Sequence, residues 1–127
     1  MSRKNIFYVH NEEDSNQASY FRHWCPLDTL QTISLFRYHD LSVKLVRTQR
    51  ELVDCRGANI FINTTPTDAW QCPRTNLNKL LSLLSEIPLK ENRIFLMGFH
   101  GSLLPEVLLR DFGITGVIRG EPEFTCL

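Results

Sequence analysis

The 127-residue chain has no net charge, no long apolar run and no close pair of cysteines. Each absence removes a class of function. Lys plus Arg number 14 and Asp plus Glu 14, so the bulk positive charge that grips a nucleic-acid backbone is missing. No apolar stretch approaches the roughly 18 residues of a membrane span. The N-terminus turns polar at His10, before the apolar stretch of a signal peptide develops. Cys25, Cys55, Cys72 and Cys126 are widely spread. That is a pattern of reduced thiols, whereas a zinc site would want spacings such as C-x2-C and a secreted domain a disulfide framework. The expected setting is soluble and cytoplasmic, with neither membrane nor nucleic acid as partner. Catalytic signatures are missing too. No G-x-G-x-x-G or Walker loop follows the first apolar run, and no nucleophile elbow or Ser-His-Asp set appears.

What is present is a chain 43% hydrophobic and 22% charged, which is one domain's worth, taken as residues 1–127. Short apolar runs alternate with amphipathic stretches. Strands are expected at 5–9, 43–47, 58–63, 93–97 and 114–119, the third and fourth nearly continuous in apolar character. Helices are expected at 27–36, with apolar positions 27, 30, 33 and 36, at 49–55 ending near Gly57, and at 77–84, with a stripe at 77, 80, 81 and 84. A fourth covers 105–112, stopped by Gly113. Pro26 suits the first turn of the first helix, Asn76 caps the third and Pro88 ends it. Alternation of this kind predicts an α/β fold: a flavodoxin-like (Rossmann-like), doubly wound, five-stranded parallel sheet of order 2-1-3-4-5 between two helix layers. Trp24-Cys25-Pro26 and Trp70-Gln71-Cys72-Pro73 echo each other before two helices and read as packing turns.

In such a sheet, ligands sit at the carboxyl ends of the strands, which directs attention to four loops. Gly98-Phe99-His100-Gly101-Ser102 flanks a turn with two glycines, where backbone can approach a flat or anionic ligand or simply make the turn. His100 has no carboxylate near it in sequence and reads equally as a solvated loop residue. Thr64 and Thr65, before Pro66, offer hydroxyls to a ligand or to their own backbone. His10-Asn11-Glu12-Glu13-Asp14 ends the first strand with three carboxylates, as a phospho-receiver does. A receiver would also need an aspartate after the third strand and a lysine after the fifth. Asn63 and Arg119 or Gly120 stand there, which excludes that reading.

Several of these segments together resemble the N-terminal cobalamin-binding-type domain of radical S-adenosylmethionine enzymes. They are the strand and turn Arg93 to Ser102, Pro105-Glu106, and Gly116-Val117-Ile118-Arg119-Gly120-Glu121-Pro122-Glu123, with Asn63-Thr64-Thr65-Pro66 matching a Thr-Ser-Pro-like turn. The resemblance spans essentially the whole chain, and the Arg-Gly-Glu-x-Glu turn is its most specific part. It implies that cobalamin is cradled between the strand ends and a neighbouring domain. Thr64, Thr65 and Pro66 would face the corrin or its nucleotide tail, while Gly98, His100, Gly101 and Ser102 would line the tail's channel. Gly120 and Glu121 would lead into the next domain.

Three departures stand out. Cobalamin modules carry D-x-H-x-x-G after the first strand; here His10 is in place, but Tyr8 replaces the Asp and Glu13 the Gly. Phe99 interrupts the expected tandem glycines. The C-x3-C-x2-C run that would hold a 4Fe-4S cluster for S-adenosylmethionine is absent, so that chemistry belongs to a parent enzyme beyond this chain. The expected function is therefore that of a domain not catalytic by itself, an accessory domain of a methyltransferase-like radical S-adenosylmethionine enzyme, that holds a corrinoid or shapes a substrate entrance. Its partner would be a C-terminal radical S-adenosylmethionine domain in cis or a catalytic partner in trans. The alternative is a cofactor-free interaction module of the same fold, with Phe99, Leu103 and Leu104 in its contact surface.

Overall fold

The computed structural model describes residues 3–9, 27–46, 48–63, 78–97 and 113–118. Over these the chain runs β1 (Lys4–Val9), α1 (Leu27–Tyr38), β2 (Val43–Val46), α2 (Gln49–Val53), β3 (Ala58–Asn63), α3 (Asn78–Glu86), β4 (Arg93–Met97) and β5 (Gly116–Val117). The five strands form one sheet of order β2-β1-β3-β4-β5, and every pairing is parallel. This is the α/β, flavodoxin-like arrangement expected from the alternation of runs. Right-handed crossovers then dictate the layers. The connection from β1 to β2 runs in the opposite direction to the later ones, so α1 lies on one face and α2 and α3 on the other. The fifth strand is shorter than the expected 114–119, although Thr115 N–H and Ile118 N–H still donate to Ile94 O and Leu96 O, both at 2.8 Å. The helix expected over 105–112 lies outside the described residues.

Period-two alternation sorts the strand residues into two chemically different cores. On one face Ile6, Tyr8, Val46, Ala58, Ile60, Ile62, Ile94 and Leu96 meet Leu52 of α2 and Leu80, Leu83 and Leu84 of α3. On the other face Phe7, Phe61 and Met97 meet Ile33 and Phe36 of α1. Register aligns Phe7 with Phe61 and Phe61 with Phe95. Their rings stack in a ladder, centroids 4.7 Å apart at 12° for the first pair and 5.2 Å at 17° for the second. Phe36 caps the ladder edge-on, 5.4 Å from Phe7 and 5.8 Å from Phe61. Offset stacks and edge-to-face contacts are the favoured ring geometries. The ladder stops at Gly116, paired with Phe95, where a Cβ would stand 3.2 Å from that ring.

The helices bury slightly different stripes from those expected. Among the described side chains of α1, which leave out Leu27, the buried ones are Thr29, Thr32, Ile33 and Phe36, with Leu30 half-buried. A step of three residues turns about 300°, so a strict three-residue spacing drifts by about 60° per step and cannot keep one face over nine residues. The spacing i, i+3, i+4, i+7 can. For the same reason α3 buries Leu80, Leu83, Leu84 and, just past its end, Ile87. Helix α2 is shorter than expected and closed at both ends. Thr48 Oγ1 accepts from Glu51 N–H at 3.4 Å, an N-cap, and its hydroxyl donates to Glu51 Oε1 at 3.3 Å. Gly57 then turns the chain at φ +66°. Nothing crowds the space beside it, so Gly57→Ala should cost only the left-handed backbone penalty of about 1–2 kcal/mol. Urea denaturation of the variant measures it, and Gly57→Asn should lose less.

Two asparagine pins tie the amino edge of the sheet. Asn92 is buried; its Oδ1 accepts from Ala58 N–H at 3.0 Å, and its Nδ2 donates to Cys55 O at 3.0 Å and Pro88 O at 3.1 Å. One side chain thus joins the turns before β3 and β4. Asn59 Nδ2 donates to Asn5 Oδ1 at 3.0 Å, and Asn5 Nδ2 donates to Ser42 O at 2.8 Å, linking β3, β1 and the start of β2.

Candidate functional site

The strand order reverses between β1 and β3, because the chain leaves β1 towards one edge and later builds towards the other. A crevice at the carboxyl ends of such a pair is where this fold holds ligands. Val9, Asn63 and Met97 lie side by side in register there, and Ile118 follows on from β5. All four are buried. The sheet thus brings level the points from which the expected site segments depart. His10 directly follows Val9, Thr64, Thr65 and Pro66 follow Asn63, and Gly98, His100, Gly101 and Ser102 follow Met97. Gly120 and Glu121 come two and three residues after Ile118. All ten lie outside the described residues, as do Phe99, Leu103 and Leu104.

One polar group at this edge was not anticipated as structural. Asn63 is 2% exposed, and its Nδ2 donates to Thr29 Oγ1 of α1 at 2.9 Å. Thr29 and Thr32 are themselves fully buried. Polar side chains are buried only when hydrogen-bonded; here the bond clamps α1 to the last residue of β3. The sequence signal was the pair of threonines on the inward stripe of α1, hidden because apolar residues alone were counted.

A second concavity opens at the opposite, amino edge. Helix α2 is too short to cover the aliphatic face of β1 and β2 along their whole length. A cleft of about 590 Å³ remains, lined by Lys4, Lys44, Glu51, Cys55, Arg56 and Ala58 among others. Lys44 Nζ pairs with Glu51 Oε2 at 3.3 Å, and Arg56 Nε with Glu91 Oε2 at 2.6 Å. Cys55 Sγ donates to Glu51 O at 3.0 Å. Burial pushes its thiol pKa up, with Glu51 and Asp54 acting in the same direction against Lys44 and Arg56. A thiol held protonated is a poor nucleophile. Cys55 should therefore react slowly with a disulfide reagent at neutral pH and faster only above the pH at which an ordinary thiol ionises. Mass-mapped labelling of native and urea-unfolded chain tests this; rapid native labelling at Cys55 would contradict it. The sign for stability follows: the unfolded thiol releases its proton first, so this group contributes less to stability as pH rises past the unfolded value.

Among the described residues no group of His, Cys, Asp and Glu is placed to hold a metal ion, and no helix is long and apolar enough to cross a membrane. Compared with models of known protein families, with curated proteins and with solved structures, the chain gives no match.

Proposed function

We propose that the chain is a cobalamin-binding-like domain, holding a corrinoid at the carboxyl edge of its sheet for a radical S-adenosylmethionine catalytic domain in cis or in trans. The observation that carries this reading is the all-parallel 2-1-3-4-5 sheet with Val9, Asn63 and Met97 level at the point where the strand order reverses. At the described part of that edge Val9, Met97 and Ile118 are apolar and buried, and the one amide, Asn63, is engaged by Thr29, so contacts to a corrinoid would come from the loops that follow. By the resemblance, His10 is the residue that would stand as a protein-derived lower ligand. When bound, methylcobalamin supplies a transferable methyl group. The chain's own part is to orient the corrinoid and keep water from its buried side.

Titration with hydroxocobalamin and methylcobalamin, read by the visible spectrum and by co-elution in gel filtration, tests the proposal. Co-elution at one equivalent with a shifted cobalt band is the expected result. If His10 is the lower ligand, His10→Ala abolishes the spectral shift. Absence of co-elution at millimolar cobalamin, both for this chain and for any longer chain containing it, would overturn the reading.

The alternative, a cofactor-free module docking on a catalytic partner, draws on one observation of its own. Leu30, Leu35 and Tyr38 line an open groove of about 420 Å³ on α1, and Tyr38 is 82% exposed. Failure to bind cobalamin combined with loss of partner association in Tyr38→Ser would favour it.

A further inference from the structure

The cleft at the amino edge is built from residues that the fold does not require. Under a crossover helix, inward positions of a parallel sheet are apolar, and they are so along this face except at two places. β1 reads Lys4, Ile6, Tyr8 on its aliphatic side, and β2 reads Lys44, Val46. Register sets Ile6 beside Lys44 and Lys4 beside Ala58, so the two lysines flank an apolar strip on one face. A lysine on an edge strand such as β2 guards against pairing with other chains. Lys4 stands at the start of β1, an interior strand, where it is exposed and pairs with Ala58 of β3. Ala58, the smallest side chain in the aliphatic core, leaves room beside Lys4 on the β3 side.

We propose that this cleft binds a small organic anion, a carboxylate or phosphate carried on a compact apolar or aromatic body. Lys4 and Lys44 hold the anionic group, and Ile6, Val46 and Ala58 form the floor under the body. Lys4 has no ion-pair partner among the described residues, so its ammonium is available. Lys44 is shared with Glu51, but both side chains are well exposed, at 70% and 46%. An exposed pair of this kind is weak and gives way to a better-placed anion. The lining also holds the Asp54 carboxylate, so the attraction falls to Lys4 and Lys44, while Arg56, its charge countered by Glu91, only walls the cleft. Its guanidinium is held by Glu91 and donates to Val53 O and Cys55 O, both at 2.8 Å. A volume of about 590 Å³ falls within the range of small-molecule sites. The site lies at the opposite end of the strands from the proposed corrinoid edge, so the two are independent.

The test is an NMR titration of the isotope-labelled chain with phenylphosphate, phenylacetate and inorganic phosphate. Saturable shifts confined to Lys4–Ile6, Ser42–Val46 and Cys55–Ala58 are expected with the two aromatic anions, and weaker ones with inorganic phosphate. The stronger of the aromatic pair identifies the head group. Lys4→Gln with Lys44→Gln should weaken binding by about tenfold or more. Both positions are exposed, so the double variant should keep the parent's melting temperature. Absence of shifts at these residues with millimolar anion overturns the proposal. So do shifts that persist undiminished in the double variant.

Discussion

Phe61→Ala should lower the stability of the chain by about 3–5 kcal/mol, the range for truncating a buried aromatic ring. Domains of this kind carry a total of about 5–15 kcal/mol, so the loss is a large part of what holds the fold. Phe61 is the middle rung of the ladder. It stacks on Phe7 and Phe95 and takes the edge of Phe36, so its removal strips three ring contacts at once. Its neighbours cannot close the gap, because Phe7 and Phe95 are fixed by the register of β1 and β4. Ile60, the adjacent residue on the other face, supplies the contrast. Ile60→Val should cost only about 0.5–1.5 kcal/mol. Equilibrium urea denaturation followed by far-UV circular dichroism measures both. A double-mutant cycle of Phe7→Leu with Phe61→Leu should return a coupling of about 0.5–1.5 kcal/mol. A loss below about 1 kcal/mol for Phe61→Ala would mean that α1 and the aromatic face collapse around the gap.

Asn92→Ala should be the most damaging single change at a polar position. It strands a buried backbone donor, Ala58 N–H, and removes one of the two donors to each of two carbonyls, Cys55 O and Pro88 O. One unsatisfied buried group costs about 1–3 kcal/mol, and Ala58 N–H is the one left bare, because Cys55 O still accepts from Arg56 Nη1 at 2.8 Å and Pro88 O from Glu91 N–H at 3.3 Å. Asn92→Asp separates the contributions. The new carboxylate still accepts from Ala58 N–H but faces two carbonyl oxygens with no proton to offer. Those oxygens favour its neutral form and so raise its pKa in the folded state above the unfolded value. The variant should therefore gain stability, relative to the parent, as pH falls towards and below that raised pKa. Chemical denaturation at several pH values reads this directly. A parallel pH dependence for variant and parent would show that the side chain is not confined between the two turns.

The strands and their order were legible because each apolar run is short, bounded by turn residues and followed by a helical pattern. The register was not, and with it went the aromatic ladder. Phe7, Phe61 and Phe95 are far apart in sequence, and nothing local says that they share a face and a level. The asparagine pins were hidden for the same reason: Asn92 bonds to a residue 37 positions away. In the stripe expected of α1, Ile33 and Phe36 are buried and Leu30 packs against their core, but counting apolar residues alone left out the buried Thr29 and Thr32. On the site, the sequence points to the carboxyl edge, and the sheet brings the departure points of those loops together. The amino-edge cleft went unnoticed because it depends on α2 ending at Val53, two residues earlier than its pattern suggested. Once that end is known, Lys4 and Lys44 stand out as breaks in an apolar alternation.

The sheet carries aliphatic side chains on one side and stacked rings on the other, and this makes the two sides unequal as substrates for mutational drift. Leucine, isoleucine and valine trade volume with one another for less than about 1.5 kcal/mol, provided the total is kept. The face under α2 and α3 can therefore wander through many sequences while keeping its shape. Rings held at fixed offsets have few substitutes. In a library randomised at all inward strand positions and selected for folding, survivors should be diverse at 60, 62, 94 and 96 and nearly uniform at 7 and 61, with glycine retained at 116.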